Sequence, residues 1–380
     1  MPRPPLNAHL VDRPGGRAEL ETPALVLDLD ALERNVTAMA DHAARHGVAL
    51  RPHAKTHKSV AIARRQLDAG ACGICVAKLG EAEALADGGV DRLLVTSPVV
   101  TTTGATRAVT LAANVSELLL VCDHPEVATC LGATASSAGA TLDVLVDVDP
   151  GMRRTGVPLG EPALALAEQI AATAGLRFAG LQCYAGHLQH MKGADKRRAA
   201  ATKLLAKLAA LRDALTARNL TPRVITGGGT GTFDVDAEAR VLTDLQVGSY
   251  VFMDREYNDL WSRDGVSPPF ETSLYVQTTV ISANHPGMAT TDAGAKAFAT
   301  DAGSPTIAAG APDKAAYIFY GDEQGGVLHD TSAPRLQPGA VLTCVVPHCD
   351  PTVNLYDRYH VVRGDTVVAL WPIEARGCSA

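Results

Sequence analysis

Val48-Ala49-Leu50-Arg51-Pro52-His53-Ala54-Lys55-Thr56-His57-Lys58 is the stretch on which the reading of this chain turns. An apolar run of strand character, 48–50, leads into a basic loop, and a helical pattern begins near Ser59. Lys55 therefore stands at the C-terminal end of a strand, where a parallel β/α barrel carries its chemistry. Neighbouring cations and burial lower the pKa of a lysine ammonium and let the amine form an imine. His53, His57 and Lys58 are candidates for supplying that field. A solvated basic loop is the plainer reading of the same hexapeptide.

Outward from this stretch, apolar strand-like runs alternate with helical patterns. The strands fall at 48–53, 72–76, 92–96, 117–122, 142–148, 177–183, 223–226 and 244–248, with helices such as 59–69, 78–87, 160–174 and 195–218 between them. Uninterrupted β-branched and leucine-rich strands separated by helices predict a parallel sheet covered by helices. Eight such units match a closed (β/α)8 barrel, and periodicity alone leaves a doubly wound open sheet as the alternative. One earlier strand, Ala24-Leu25-Val26-Leu27, precedes a helix whose Asp30-Ala31-Leu32-Glu33 has capping-box spacing. It is expected outside the barrel, paired with the C-terminal part of the chain. After Trp261 the texture changes to β runs at 273–282, 315–320, 340–346 and 359–371, the last a hairpin turning at Gly364-Asp365. The expected domains are a barrel over 28–260 and a mostly β domain over 261–380, completed by 1–27.

Composition narrows the class. At 380 residues the chain exceeds the usual single core. Hydrophobic content of 47% and charged content of 20% are those of a globular protein. A net charge of -7 argues against nucleic acid or an anionic membrane as partner. No apolar run reaches the length of a membrane span, and Met1-Pro2-Arg3-Pro4-Pro5 lacks the apolar core of a secretion signal. Eight cysteines are too sparse for a disulfide scaffold. Cys72 and Cys75 form a CxxC inside a strand-like run and are read as buried strand thiols. The expected compartment is the cytoplasm.

Further motifs sit at the ends of strands. Gly227-Gly228-Gly229-Thr230-Gly231-Thr232 follows the run 223–226; glycines there admit backbone N–H groups close to an anion, and threonine hydroxyls add donors. Gly248-Ser249-Tyr250, after the eighth strand, can complete a phosphate cradle of the kind barrels build after their last two strands. A ligand-free tight turn is the alternative. A lysine at one strand end and a phosphate cradle across the mouth point to a phosphorylated aldehyde cofactor, and pyridoxal 5'-phosphate fits both ends. Tyr184-Ala185-Gly186-His187-Leu188-Gln189-His190 places a phenol and two imidazoles in another strand-end loop, where a histidine can accept a proton near neutral pH; hydrated loop histidines are the plainer reading. Asp149-Pro150-Gly151-Met152-Arg153-Arg154-Thr155-Gly156 offers an arginine to a cofactor oxygen or ring, or a salt-bridged loop. In Pro347-His348-Cys349-Asp350-Pro351, an extended backbone would point His348 and Asp350 the same way. Imidazole plus carboxylate suits a divalent ion such as Mn²⁺, Zn²⁺ or Mg²⁺; a hydrogen-bonded surface pair is the competing reading, and His348 with Cys349 would need a non-extended backbone.

Together these motifs resemble the pyridoxal-phosphate enzymes of the alanine-racemase fold, and more narrowly the branch with D-threonine aldolase, 3-hydroxy-D-aspartate aldolase and D-serine dehydratase. The resemblance runs from Thr22-Pro23-Ala24 to Ala375-Arg376-Gly377. Its most specific parts are Arg51-Pro52-His53-Ala54-Lys55, the 227–231 glycine turn, Gly248-Ser249-Tyr250 with Phe252-Met253-Asp254, and the block from His348 to Asp357. The resemblance implies that Lys55 carries the cofactor. It implies phosphate contacts from Gly228, Gly229, Thr230, Gly248 and Ser249, and cofactor neighbours in Arg154, Tyr184 and Tyr257. It makes His190 the general base and His348 with Asp350 the metal pair, with Mn²⁺ first and Mg²⁺, Co²⁺ or Zn²⁺ as alternatives. It also implies a homodimer, because a second subunit helps to close the site in this fold.

Dehydratases of the branch show His-x-Cys where this chain has His-x-Asp, so Asp350 favours an aldolase that cleaves D-configured β-hydroxy-α-amino acids (D-threonine, D-phenylserine or 3-hydroxy-D-aspartate) to glycine and an aldehyde. A metal-dependent D-serine or D-3-hydroxyaspartate dehydratase is the first alternative, and a non-catalytic pyridoxal-phosphate-binding protein the more distant one. Two departures from the aldolase pattern stand out. Ala77 precedes Lys78 where Gln is usual, and Asp322-Glu323-Gln324-Gly325 lacks the histidine of Asp-Glu-His-Gly.

Overall fold

The computed structural model describes residues 5–380; the first four residues, part of the proline-rich segment read above, lie outside them. Two compact units emerge: 37–248 with 377–380, and 5–36 with 249–376. The divisions fall after 36 and after 248, where the sequence reading drew boundaries at 27 and 260, and 377–380 group with the barrel unit.

In the first unit, eight parallel strands follow one another in the order of the chain: Ala49–Leu50, Ile74–Val76, Arg92–Val95, Glu117–Cys122, Leu142–Asp149, Leu176–Cys183, Val224–Gly227 and Asp244–Leu245. Each pairs with its successor from the second onward, and the eighth pairs with the first. The path curls until its ends meet, at an isolated parallel bridge between His53 and Cys75. There Cys72 N–H donates to Leu50 O and Cys75 N–H to Pro52 O, each at 2.8 Å. That seam settles the choice between barrel and open sheet. The first strand is only two residues long because Pro52 lacks an N–H for a ladder and the chain turns at once into the 3-10 turn Ala54–Thr56. Cys75, Leu94, Leu119, Val121, Leu145, Ala179 and Val224 pack as one buried cluster.

The helices follow their sequence signals closely: Val60–Asp68, Leu79–Asp87, Glu161–Ala172 and Ala194–Ala217. Arg51, buried, pairs with Glu117 (3.1 Å) and Asp244 (3.6 Å). Both carboxylates open their strands, so this conspicuous arginine serves the barrel's N-terminal side and not its mouth.

In the second unit, Ala24–Asp28 lies between Leu274–His285, antiparallel, and Arg358–Arg363, parallel. This is the expected pairing of the early strand with the C-terminal part of the chain. Arg358–Arg363 and Thr366–Pro372 form the expected hairpin. Three short strands, Met288–Thr291, Thr306–Ala309 and Gly325–Leu328, extend the sheet without having stood out in the sequence. The helix Leu29–His46 is capped by Asp28, whose Oδ1 accepts the Ala31 N–H at 3.0 Å. Asp30 and Glu33, read as a capping box, instead pair with Arg363. No helix among the described residues is long and apolar enough to cross a membrane.

Candidate functional site

Lys55 stands in the turn Ala54–Thr56, immediately past the first barrel strand. His53 caps this turn: its Nδ1 accepts the Lys55 backbone N–H at 3.3 Å. An accepting Nδ1 places the ring proton on Nε2, and Nε2 donates to Thr96 Oγ1 (3.1 Å), which donates in turn to Val76 O (3.0 Å). His57 Nδ1 likewise accepts a backbone N–H, from Ser59, and its Nε2 faces Gln66 Oε1. Lys58 is buried in an ion pair with Glu81. His53 and His57 each accept a backbone N–H and Lys58 pairs with Glu81, so all three build the loop that presents Lys55.

A cavity of about 440 Å³ opens above this loop. Lys55, Arg154 and Tyr184 line it together, with the Arg154 guanidinium 5.5 Å from the centre of the Tyr184 ring. Its polar floor comes from strand-end residues that the motifs did not single out. Gln182 donates to Thr96 O (3.0 Å) and Asp147 Oδ1 (2.9 Å) and accepts from Gln246 Nε2 (3.1 Å). Burial pushes the Asp147 carboxyl up, against the opposing bond from Gln182. Polar residues inside otherwise apolar strand ends were the available signal.

The glycine turn follows Val224–Gly227 and leads into the short helix Phe233–Glu238. Its glycines are required sterically. Gly228 has φ +73°, and a Cβ there would stand 2.5 Å from Asp236 Oδ2; at Gly231 a Cβ would stand 2.1 Å from the Gln189 carbonyl oxygen. Gln189 Oε1 accepts the Gly231 N–H (2.8 Å), and the Thr232 hydroxyl donates to Asp236 Oδ2 (2.6 Å). Burial drives the Asp236 carboxyl up to about 7, although Thr232 and the Gly229 N–H stabilise its anion. Thr230 is buried in the same turn. At Gly248 a Cβ would meet Thr56 Oγ1 at 2.7 Å, and that hydroxyl is buried without a hydrogen-bond partner. His190 caps Gly186–Gln189 at its C-terminus, exposed and outside the cavity lining.

The remaining candidates lie in the β unit. Ser249 opens the 3-10 turn Ser249–Val251. Tyr257 is buried in the helix Arg255–Arg263, its N–H capped by Asp254 Oδ1 at 3.0 Å. The 347–351 block departs from the expected strand. Val341–Val345 ends before it, and Cys349–Val353 is a short helix with His348 as its N-cap. Two causes explain this: Asp254 Oδ2, from a distant segment, accepts the Cys349 N–H (2.9 Å), and Pro351 sits in the first helical turn, where its missing N–H costs nothing.

The same-side rule for i and i+2 on a strand therefore does not apply, yet Asp350 still acts electrostatically on His348. Burial lowers the His348 pKa, but the hydrogen bond to Asp301 and the charges of Asp350 and Asp254 outweigh it and leave it raised. Cys349 is fully buried, and desolvation holds its thiol well above the usual range. Among the described residues no group of three or more His, Cys, Asp and Glu is placed to hold a metal ion; a cation at His348 and Asp350 would complete its shell with water or substrate.

A closed parallel barrel with a loop lysine just past its first strand and a glycine-rich turn just past its seventh defines a class of β/α barrel proteins. The sequence matches the family descriptions "Alanine racemase, N-terminal domain" over residues 27–256 and "Putative serine dehydratase domain" over 273–362. It is 40% identical to a D-threonine aldolase of Arthrobacter sp, covering 95% of this chain and 94% of the relative. It is 37% identical to a 3-hydroxy-D-aspartate aldolase of Paracoccus denitrificans, covering 95% and 93%. The crystal structure of D-threonine aldolase from Filomicrobium marinum superposes with a TM-score of 0.90 at 39% identity, covering 96% of this chain and 98% of that one. The chain belongs to the alanine-racemase-fold family, in the branch that holds these aldolases. The family implies pyridoxal phosphate as cofactor.

Proposed function

We propose that the chain is a pyridoxal-phosphate- and divalent-metal-dependent lyase that cleaves D-configured β-hydroxy-α-amino acids, such as D-threonine, D-phenylserine or 3-hydroxy-D-aspartate, to glycine and an aldehyde. The observation that carries this reading is the cavity at the barrel mouth, where Lys55 stands with Arg154 and Tyr184. The buried, unpartnered Thr56 hydroxyl and the cradles at Gly228 and Gly248, which a Cβ would fill, fit an anionic cofactor tail. The imidazole–carboxylate pair of His348 and Asp350 fits a hard or borderline divalent ion. When bound, the cofactor supplies an electron sink for the pair released as Cα–Cβ breaks, and the metal supplies Lewis acidity toward the β-hydroxyl.

In this reading Lys55 Nζ holds the cofactor and yields to the substrate amine. Gly228, Gly229, Thr230, Gly248 and Ser249 bind the phosphate, with Gly229 sharing its N–H with Asp236. Arg154, Tyr184 and Tyr257 neighbour the cofactor. His190 takes the hydroxyl proton, directly or through water. Mn²⁺ is the preferred ion, with Mg²⁺, Co²⁺ or Zn²⁺ as alternatives. The protein is a cytoplasmic homodimer acting on a small molecule, with neither nucleic acid nor membrane as partner.

The match of 273–362 to a serine dehydratase domain keeps dehydration as the second reading. Incubating Mn²⁺- and cofactor-loaded protein with D-threonine separates the two. Glycine and acetaldehyde are expected, whereas 2-oxobutanoate and ammonia would make the chain a dehydratase. No turnover across a panel of β-hydroxy-D-amino acids would leave only a cofactor-binding protein.

A further inference from the structure

We infer that Asp301 is a positioning residue that fixes the His348 imidazole for a divalent cation; the inference rests on the metal-dependent reading above. His348 Nδ1 lies 2.6 Å from Asp301 Oδ2. A carboxylate can only accept there, so the ring carries a proton on Nδ1, and in the neutral ring the lone pair is then on Nε2. Histidines that ligate metals nearly always donate their other N–H to a carboxylate, carbonyl or water, which sets the tautomer, fixes the ring and raises ligand basicity. The contact joins residues 47 apart in the chain, and the sequence around Asp301, Ala299-Thr300-Asp301-Ala302-Gly303, carries no motif.

Both sides of the contact are held by further bonds. On the histidine side, Arg255 N–H donates to Val346 O at 3.1 Å. Asp254 Oδ2 accepts the Cys349 N–H, and the Thr352 hydroxyl donates to His348 O at 2.7 Å. On the aspartate side, the Arg255 guanidinium donates to Ala302 O, and the Thr352 hydroxyl accepts the Ala299 N–H at 3.0 Å. Tyr356 donates to Ala297 O at 2.8 Å. Arg255 and Thr352 each tie the Asp301 segment to the His348 segment. An exposed ion pair formed by chance has no such double tether, and surface pairs pay entropy to hold one geometry. Asp301 half exposed beside a partly buried imidazole leaves its second oxygen available for water, as an outer partner of a ligand requires.

The test uses protein loaded with pyridoxal phosphate and titrates Mn²⁺, reading free Mn²⁺ by electron paramagnetic resonance. Asp301→Ala is expected to weaken Mn²⁺ binding about 10–100-fold. Asp301→Asn, which keeps an acceptor but loses the charge, should fall between, and Asp301→Glu should recover part of the loss. The visible cofactor band and the metal-free melting temperature should be unchanged in all three, a separation that a merely structural role would not produce. His348→Ala should abolish binding. Mn²⁺ affinity within twofold of wild type in Asp301→Ala, with binding lost in His348→Ala, would overturn the assignment to Asp301 and leave the metal reading standing. Wild-type affinity in His348→Ala, or no binding by the wild type, would overturn both.

Discussion

Thr56 and Gly248 meet so closely that a Cβ on residue 248 would stand 2.7 Å from the Thr56 hydroxyl oxygen. That hydroxyl is buried with no protein partner, and leaving a buried polar group unmatched costs roughly 1–3 kcal/mol. A phosphate oxygen bound there would recover that cost. Thr56→Val and Gly248→Ala are each expected to weaken pyridoxal-phosphate binding by about tenfold, since roughly 1.4 kcal/mol is one decade. Titration of the cofactor's visible band reads the effect. Unchanged affinity in Thr56→Val would reduce the hydroxyl to a packing group.

The Lys58–Glu81 pair is almost fully buried, with side chains 10% and 4% exposed. Glu81 also accepts the backbone N–H groups of Ala77 (2.8 Å) and Lys78 (3.2 Å). Removing one partner leaves a buried charge alone, which costs about 3–5 kcal/mol. Glu81→Ala should lower the unfolding free energy by that amount, read from denaturant titration, and Lys58→Met with Glu81→Leu should recover most of it. A single-variant loss below about 1 kcal/mol, the range of exposed pairs, would mean that water reaches this pair.

Asp236 sets a pH dependence. Its carboxyl rises from an ordinary 3.8 to about 7 in the folded protein, because burial outweighs the Thr232 and Gly229 bonds. Between those values the native state keeps a proton that the unfolded chain has lost. The group's contribution is thus full below about pH 4, falls as pH rises, and levels off above about pH 7. At about 1.4 kcal/mol per pKa unit, the swing is on the order of 4 kcal/mol at most. Wild type should therefore lose stability relative to Asp236→Asn between pH 5 and pH 8. Parallel melting curves for the two proteins across that range would contradict it.

Much of this was legible locally. Strand runs such as 117–122 and helix patterns such as 195–218 emerge within a residue of their observed ends, Glu117–Cys122 and Ala194–Ala217, because burial imposes a period on the chain. Lys55, Arg154 and Tyr184 were readable because strand-end position is a local property, and they share the cavity. What escaped depends on partners distant in sequence. The charge of Lys58 looked available to Lys55 until Glu81 was placed beside it. His348 and Asp350 looked like one face of a strand until Asp254, from another segment, capped the Cys349 N–H. Gln182 and Gln246 line the cavity, with Asp147 bonded to Gln182, an arrangement that no spacing announces.

The central claim is covalent attachment of the cofactor at Lys55. Borohydride reduction of the yellow, cofactor-loaded protein followed by peptide mass mapping tests it most directly. The account predicts a reduced phosphopyridoxyl group on the peptide containing Lys55, and neither that label nor the visible band in Lys55→Ala. A label on another lysine, or a visible band that persists in Lys55→Ala, would contradict it.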